Sequence, residues 1–271
     1  MPSEQSHNGV FACPHCGLPL PDRESAATCG NNHSFDRARE GYLNLLVGGR
    51  LPAGTTPGDT AESLAARRRF LSTGAYRPVA DAVVAAIGDA DGPVLDVGCG
   101  EGWYLSQVPS QQRHGIDISK KAVQMASKSL TDASFAVASA YRLPILDGSC
   151  TAVFSVFAPH PFDEFARVLR DGGVWVTATP GPGHLREMRP SYDPDDRANE
   201  RFDRRTQPPA ESSSAERVTF GLDLDEQSAN DLFLMTPLQW QAGANRTTVR
   251  HVTVDVWVSR GVRDQRPAPT G

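Results

Sequence analysis

Nine consecutive residues, Val94-Leu95-Asp96-Val97-Gly98-Cys99-Gly100-Glu101-Gly102, carry an apolar strand straight into a turn in which every second position is glycine. Without a Cβ, such a turn lets backbone N–H groups close on a ligand, held at the start of the helix expected near Trp103. A dinucleotide fingerprint, G-x-G-x-x-G, would need glycine where Trp103 stands; the pattern here is D-x-G-x-G-x-G. A second apolar run, His114-Gly115-Ile116, ends in Asp117, whose carboxylate has the bidentate acceptor geometry to take both hydroxyls of a ribose. An ordinary surface acid closing a strand is the alternative for Asp117.

The other chemical constellation lies near the amino terminus. Cys13-x2-Cys16 is followed, after twelve residues, by Cys29-x3-His33. Three thiolates and an imidazole in two tight turns make a Cys3His tetrahedron for zinc. All four positions are filled by protein, which points to a structural ion and not to a metal that activates water. Three unrelated buried cysteines would be the bland alternative, but so short a segment cannot build a core without a metal. His15 sits beside the first turn and is expected to point away from the ion. The total of five cysteines, three of them in the first thirty residues, argues against a disulfide framework and for a reducing compartment. Cys99 reads as a small residue tolerated in the glycine turn, because no partner base marks it as a nucleophile.

Something must position these groups. Short apolar runs (93–98, 113–118, 134–139, 151–157, 173–179) alternate with helical stretches at 120–130 and 161–169, and Asp171-Gly172-Gly173 reads as the turn into the fifth run. That rhythm implies βαβ units and an α/β fold with a doubly wound, mostly parallel sheet. Two further helices, one from about residue 60 and one over 78–87, lead into it. The chain divides into a small zinc-binding, RNA-recognition module over 1–46, a Gly/Pro/Thr-rich linker over 47–62 and a large domain over 63–271. Within the large domain, residues 184–215 form a polar insertion, a lid or a solvated loop. Near the end, Val252, Val254, Val256 and Val258 alternate with His251, Thr253, Asp255 and Trp257, the pattern of a half-buried late strand.

A formal net charge of -5 excludes a protein that holds nucleic acid by bulk electrostatics. Contact with RNA has to rest on local patches such as Arg67-Arg68-Arg69 or the arginine-rich, acid-balanced stretch 186–217. The polar opening lacks a secretory signal and no apolar run reaches membrane-spanning length, so a cytoplasmic protein without membrane contact is expected.

The D-x-G-x-G-x-G turn resembles motif I of the class I S-adenosylmethionine-dependent methyltransferases. That resemblance implies a Rossmann-like sheet and cofactor contacts from Asp96, Gly98, Gly100, Gly102, Trp103 and Asp117. Ser139 and Ala140 would flank the adenine, although Ser139 stands where the family often has an acid. Further segments are similar to the RlmA-type 23S rRNA (guanine-N1)-methyltransferases, which include the tylosin-resistance enzymes. They comprise the Cys3His knuckle, residues 35–46, Pro57-Gly58-Asp59, residues 67–71, Phe157-Ala158-Pro159, residues 178–185 and residues 235–240. The similarity covers nearly the whole chain. It implies methylation of N1 of a guanine in a domain II hairpin of 23S rRNA, a homodimer, and an effect on macrolide sensitivity. In that frame Phe157 and Pro159 lie where the acceptor base is gripped, with Arg67 and Arg68 as RNA contacts. Phe157 is equally an ordinary core aromatic. No residue is singled out as a general base; His160 and Asp163 are merely nearby.

Two other classes fit part of the sequence. A methyltransferase of small molecules would share the glycine turn and Asp117 but need no zinc knuckle. A non-catalytic RNA-binding adaptor would fail to bind the cofactor, against which the intact glycine turn stands.

Overall fold

The structure, a computed structural model, describes residues 9–21, 26–47, 60–189, 207–240 and 249–264. The linker residues 48–59, Pro57-Gly58-Asp59 among them, and residues 190–206 of the polar insertion lie outside these.

Strands β1 (Ala26–Thr28) and β2 (Ser34–Asp36) pair in a small antiparallel ribbon. The remaining strands are β3 (Leu43–Asn44), β4 (Val94–Val97), β5 (Arg113–Asp117), β6 (Ala133–Val137), β7 (Cys150–Val156), β8 (Leu169–Pro180), β9 (Ser214–Asp223) and β10 (His251–Val262). They form one eight-stranded sheet in the order β3-β6-β5-β4-β7-β8-β10-β9. Pairings are parallel from β3 through β8, while β10 runs antiparallel to both β8 and β9. Every residue of β4 and β7 is buried, as the near-continuous Val/Leu/Phe composition of central parallel strands requires.

Around the sheet lie α1 (Ala61–Ser72), α2 (Arg77–Ile87), α3 (Trp103–Gln107), α4 (Lys120–Ser129), α5 (Phe162–Val168) and α6 (Glu226–Leu234). Their starts follow capping chemistry: the side chains of Thr60, Ser119 and Asp225 accept from the N–H groups of Ser63, Ala122 and Ser228.

Asp171-Gly172-Gly173 is not a turn ahead of the fifth run but a bulge inside β8. The register against β7 slips between Cys150 and Ala152, and Gly172 absorbs the kink at φ +74°. Within the polar stretch Arg186–Met188 make a 3-10 turn against the core, with Leu185 and Met188 buried, and the stretch's last residues, Ser214 and Ala215, belong to β9.

The amino-terminal module shares the large domain's core. Strand β3 extends the main sheet, Phe11 bridges to Ile145, the Ala12 N–H donates to the Pro144 carbonyl at 2.8 Å and the Leu146 N–H to that of Val10 at 2.9 Å. Val10, Phe11, Leu43 and Leu45 are almost fully buried among Leu95, Ile116 and Ile145. At about 1.5–3 kcal/mol for each side chain removed from water, that burial holds the module in place.

Candidate active site and zinc centre

Two knuckles build the metal cluster. In the first, the Gly17 N–H donates to the Cys13 carbonyl at 2.8 Å, with Gly17 at φ +73°. The second closes with the Asn32 N–H on the Cys29 carbonyl at 2.9 Å, Asn32 itself at φ +62°. The three thiol sulfurs and one imidazole nitrogen of Cys13, Cys16, Cys29 and His33 lie within 4.8 Å of one another. His33 Nδ1 is 3.4 Å from the sulfurs of both Cys13 and Cys29, and the Cys16 and Cys29 sulfurs are 3.7 Å apart. A tetrahedron with Zn–S near 2.3 Å and Zn–N near 2.0 Å has edges of roughly 3.5–3.8 Å, so these three donor pairs already stand close to zinc-ligand spacing. Burial works against the Cys29 thiolate, yet the N–H groups of Asn31 and His33 overcome it and bring the thiol to about 6. The exposed His15 stays outside the cluster, stacked on Phe35 at 5.9 Å.

The carboxyl ends of β4, β5, β6 and β7 lie side by side, and the loops that follow them form one rim. In the glycine turn, Gly98, Gly100 and Gly102 have φ +80°, +55° and +86°. Asp117 fixes the turn from β5: its Oδ2 accepts from the Gly100 N–H at 2.9 Å and its Oδ1 from the Ser119 N–H at 2.7 Å. Beside it the Ala138 N–H donates to the Asp117 carbonyl, which carries the chain into half-buried Ser139 and Ala140. Trp103 opens α3, its ring set edge-on to Tyr104 at 4.9 Å. Burial, then the carboxylates of Asp117 and Glu101, holds the Asp96 carboxyl well above the usual range. Three acids around one glycine turn make a site that a cationic ligand would relieve, as the sulfonium and ammonium of S-adenosylmethionine would. Burial likewise keeps the Cys99 thiol well above its ordinary value, with the neighbouring acids adding to it, so that thiol is inert.

Next along the rim, Phe157 follows β7 in the left-handed region, at φ +53°, with its N–H on the Ala178 carbonyl at 2.9 Å. The Ser155 hydroxyl, 3.1 and 3.2 Å from the carbonyls of Ala158 and Pro159, ties down the loop that Pro159 closes. Phe157 is 39% exposed, so it is not a core aromatic. Its ring stacks on His184 at 5.4 Å, and Tyr76 meets both rings edge-on. From α1, Arg67 reaches the glycine turn, its guanidinium 3.3 Å from where a Cβ on Gly100 would stand, whereas Arg68 is exposed on the same helix. The third arginine of the run, Arg69, is bound to Asp231 of α6.

Residue types at the glycine turn and the knuckle were readable from spacing; the parts played by His184, Tyr76, Tyr104 and Glu101 were not. His184 is the first residue of a polar stretch, and although it lies in the family-like segment 178–185, nothing local to it gives it a chemical role.

This sheet order, with a glycine turn and an acid at adjacent strand ends, defines a methyltransferase that uses S-adenosylmethionine, and its amino-terminal module binds zinc. A family profile described as "Methyltransferase domain" matches residues 95–177, and one described as "RlmA, N-terminal", a zinc ribbon, matches residues 11–47. The 23S rRNA (guanine(748)-N(1))-methyltransferase of Streptomyces fradiae is 33% identical over 241 residues, 84% of this chain and 85% of its own. Proteins named "Putative 23S rRNA (guanine-N(1)-)-methyltransferase" from Micromonospora griseorubida and Bacillus subtilis are 34% and 31% identical. Those matches cover 95% and 94% of this chain and 96% and 97% of theirs. The chain belongs to this family of RlmA-type 23S rRNA (guanine-N1)-methyltransferases. Among the described residues no helix is long and apolar enough to cross a membrane.

Proposed function

We propose that the protein transfers a methyl group to N1 of a guanine in a domain II hairpin of 23S rRNA, acting in the cytoplasm as a homodimer. The observation that carries this reading is similarity that runs through both the zinc ribbon and the methyltransferase domain. A catalyst for small molecules has no use for a zinc module built into its sheet edge.

Bound S-adenosylmethionine supplies a methyl group already activated on a sulfonium. The protein then has to hold N1 in line with that methyl and let the N1 proton leave. Asp117 would hold the ribose hydroxyls of the cofactor, with Gly98, Gly100 and Gly102 against its amino-acid end, Ser139 and Ala140 beside the adenine, and Asp96 near the positive charge. Trp103 would close the pocket beyond Gly102. Phe157, exposed on the rim next to the glycine turn, would stack on a guanine swung out of its helix, with Pro159 shaping the loop. Arg68, on the outer face of α1, is the candidate for a phosphate contact, and Arg67 lies closer to the cofactor.

The test uses purified protein, labelled S-adenosylmethionine and a domain II hairpin transcript, with each guanine replaced in turn by adenine. Label incorporation abolished by one replacement supports the reading. Incorporation indifferent to all of them, or none with cofactor bound, refutes it. Sedimentation of the same preparation reads the dimer.

A further inference from the structure

The described residues contain three non-glycine residues in the left-handed region, and two of them meet at one stacked pair, Phe157 and His184: Phe157 itself and Leu185, which follows His184. Backbone strain held at and beside a ring pair whose Phe157 member is exposed is a signature of a site that needs its geometry kept. The means of keeping it are visible. Asp255 of β10, fully buried, binds the His184 loop: the Gly183 N–H donates to its Oδ2 at 2.7 Å, the Gly181 N–H to its carbonyl at 2.7 Å. A Cβ on Gly181 would lie 2.7 Å from that carboxylate, so only glycine permits the approach. The carboxylate is itself held by both Nε and a terminal nitrogen of Arg217, each at 2.7 Å, and by the Thr219 hydroxyl at 3.1 Å.

The last contact fixes the imidazole's protonation. The Asp255 backbone N–H lies 3.3 Å from His184 Nδ1, and a peptide N–H can only donate, so Nδ1 is the acceptor and the ring proton sits on Nε2. Burial, with Arg189 next in effect, lowers the ring's pKa to about 4, which keeps it neutral. Among the described residues Nε2 has no hydrogen-bond partner, and the hydroxyl of Tyr76, whose ring meets both members of the pair edge-on, is buried without one. His184 is therefore a pre-oriented neutral donor beside an exposed aromatic face. It cannot serve as a base, because its one lone pair is taken.

Resting on the guanine-N1 reading above, we propose that His184 Nε2–H donates to O6 of a guanine that lies edge to edge with the imidazole against the Phe157 ring, and so selects and activates that base. As the N1–CH3 bond forms and the S–CH3 bond breaks, the N1 proton passes to solvent and the negative charge of the deprotonated base rests largely on O6. A fixed donor there stabilises the reacting form. It also rejects adenine, whose N6 amino group would set donor against donor.

The experiment is a cycle between protein and substrate. Wild type, His184→Phe and His184→Asn are assayed on hairpins with guanosine or 6-thioguanosine at the target, 6-thioguanosine offering a poorer acceptor. S-adenosylhomocysteine affinity is measured on each variant to read the fold. The expected results are a kcat about 10²-fold lower for His184→Phe on guanosine, little change in KM, and partial recovery with Asn. The thio substitution slows the wild type but leaves His184→Phe nearly unaffected. Equal thio effects in both proteins overturn the proposal, as does wild-type kcat in His184→Phe. A His184→Phe that loses S-adenosylhomocysteine affinity points to a structural role, and Asn then decides: recovery of affinity without kcat overturns the donor. Absence of transfer by the wild type overturns the guanine-N1 reading itself, and this inference with it.

Discussion

Replacing Gly98 by alanine strikes the contact between the cofactor turn and the acceptor loop. Gly98 has φ +80°, where a side chain costs about 1–2 kcal/mol. Its Cβ would stand 2.4 Å from the Ala158 Cβ, whereas carbon atoms rest at about 3.5–4.0 Å, so the loop carrying Phe157 must retreat by more than about 1 Å. A displacement of that size at a reacting centre costs about 10²-fold in rate. The two costs separate in a second variant. With Ala158→Gly added, the nearest atom is the Ala158 Cα at 3.9 Å, an ordinary contact, while the left-handed φ remains. Gly98→Ala is expected to lose about 10²-fold in kcat and a few degrees in Tm. The double variant should regain most of the kcat and little of the Tm. Single-turnover methyl transfer and calorimetric melting read both. A double variant as slow as Gly98→Ala would refute the reasoning, because the lost rate would then not come from the collision with the loop.

Cys16→Ser, or a strong chelator, should lower stability by several kcal/mol and weaken S-adenosylhomocysteine binding, since the module's Ala12 and Phe11 brace residues 144 and 145 beyond the adenine-side loop; thermal melts and titration calorimetry check it, and unchanged cofactor affinity counts against the coupling. Asp117→Ala removes charge-assisted hydrogen bonds worth about 1.5–3 kcal/mol each, so S-adenosylhomocysteine should bind about 10²-fold more weakly by calorimetry. His184 makes stability depend on pH. Its folded pKa of about 4 lies below the ordinary imidazole value of 6.5, so the unfolded chain binds the proton first and stability falls as pH drops through that window. Arg189, Asp255 and Glu187 face the ring, and Asp255 and Glu187, both held below their ordinary values, lose stability as pH falls below about 4. Denaturant melts of His184→Phe between pH 4 and 6.5 should therefore show a flatter slope than wild type.

Where spacing alone specifies geometry, the sequence was legible. Alternate glycines after an apolar strand and a Cys3His knuckle are local patterns, and the structure draws each into a single cluster. What depended on distant partners was hidden. Strand β3 is two residues long, too short for any periodicity, and joins the main sheet only through β6. β9 alternates half-buried and exposed positions and carries Glu216 and Arg217, so it reads as polar until β10 pairs with it. Asp255 was expected on the outer face of a half-buried strand, with His251, Thr253 and Trp257; it is instead fully buried, because Arg217 and the Gly183 N–H satisfy it there. The role of His184 was hidden for the same reason, the ring being placed by Asp255, seventy-one residues away.

The most direct test maps N1 methylation on 23S rRNA from cells lacking the gene, before and after treatment with purified protein and S-adenosylmethionine. N1 methylation blocks Watson–Crick pairing and stops reverse transcription. One new stop at a single domain II guanine, absent with Asp117→Ala, is the predicted result. A protein that binds the cofactor yet leaves every guanine readable would contradict the account.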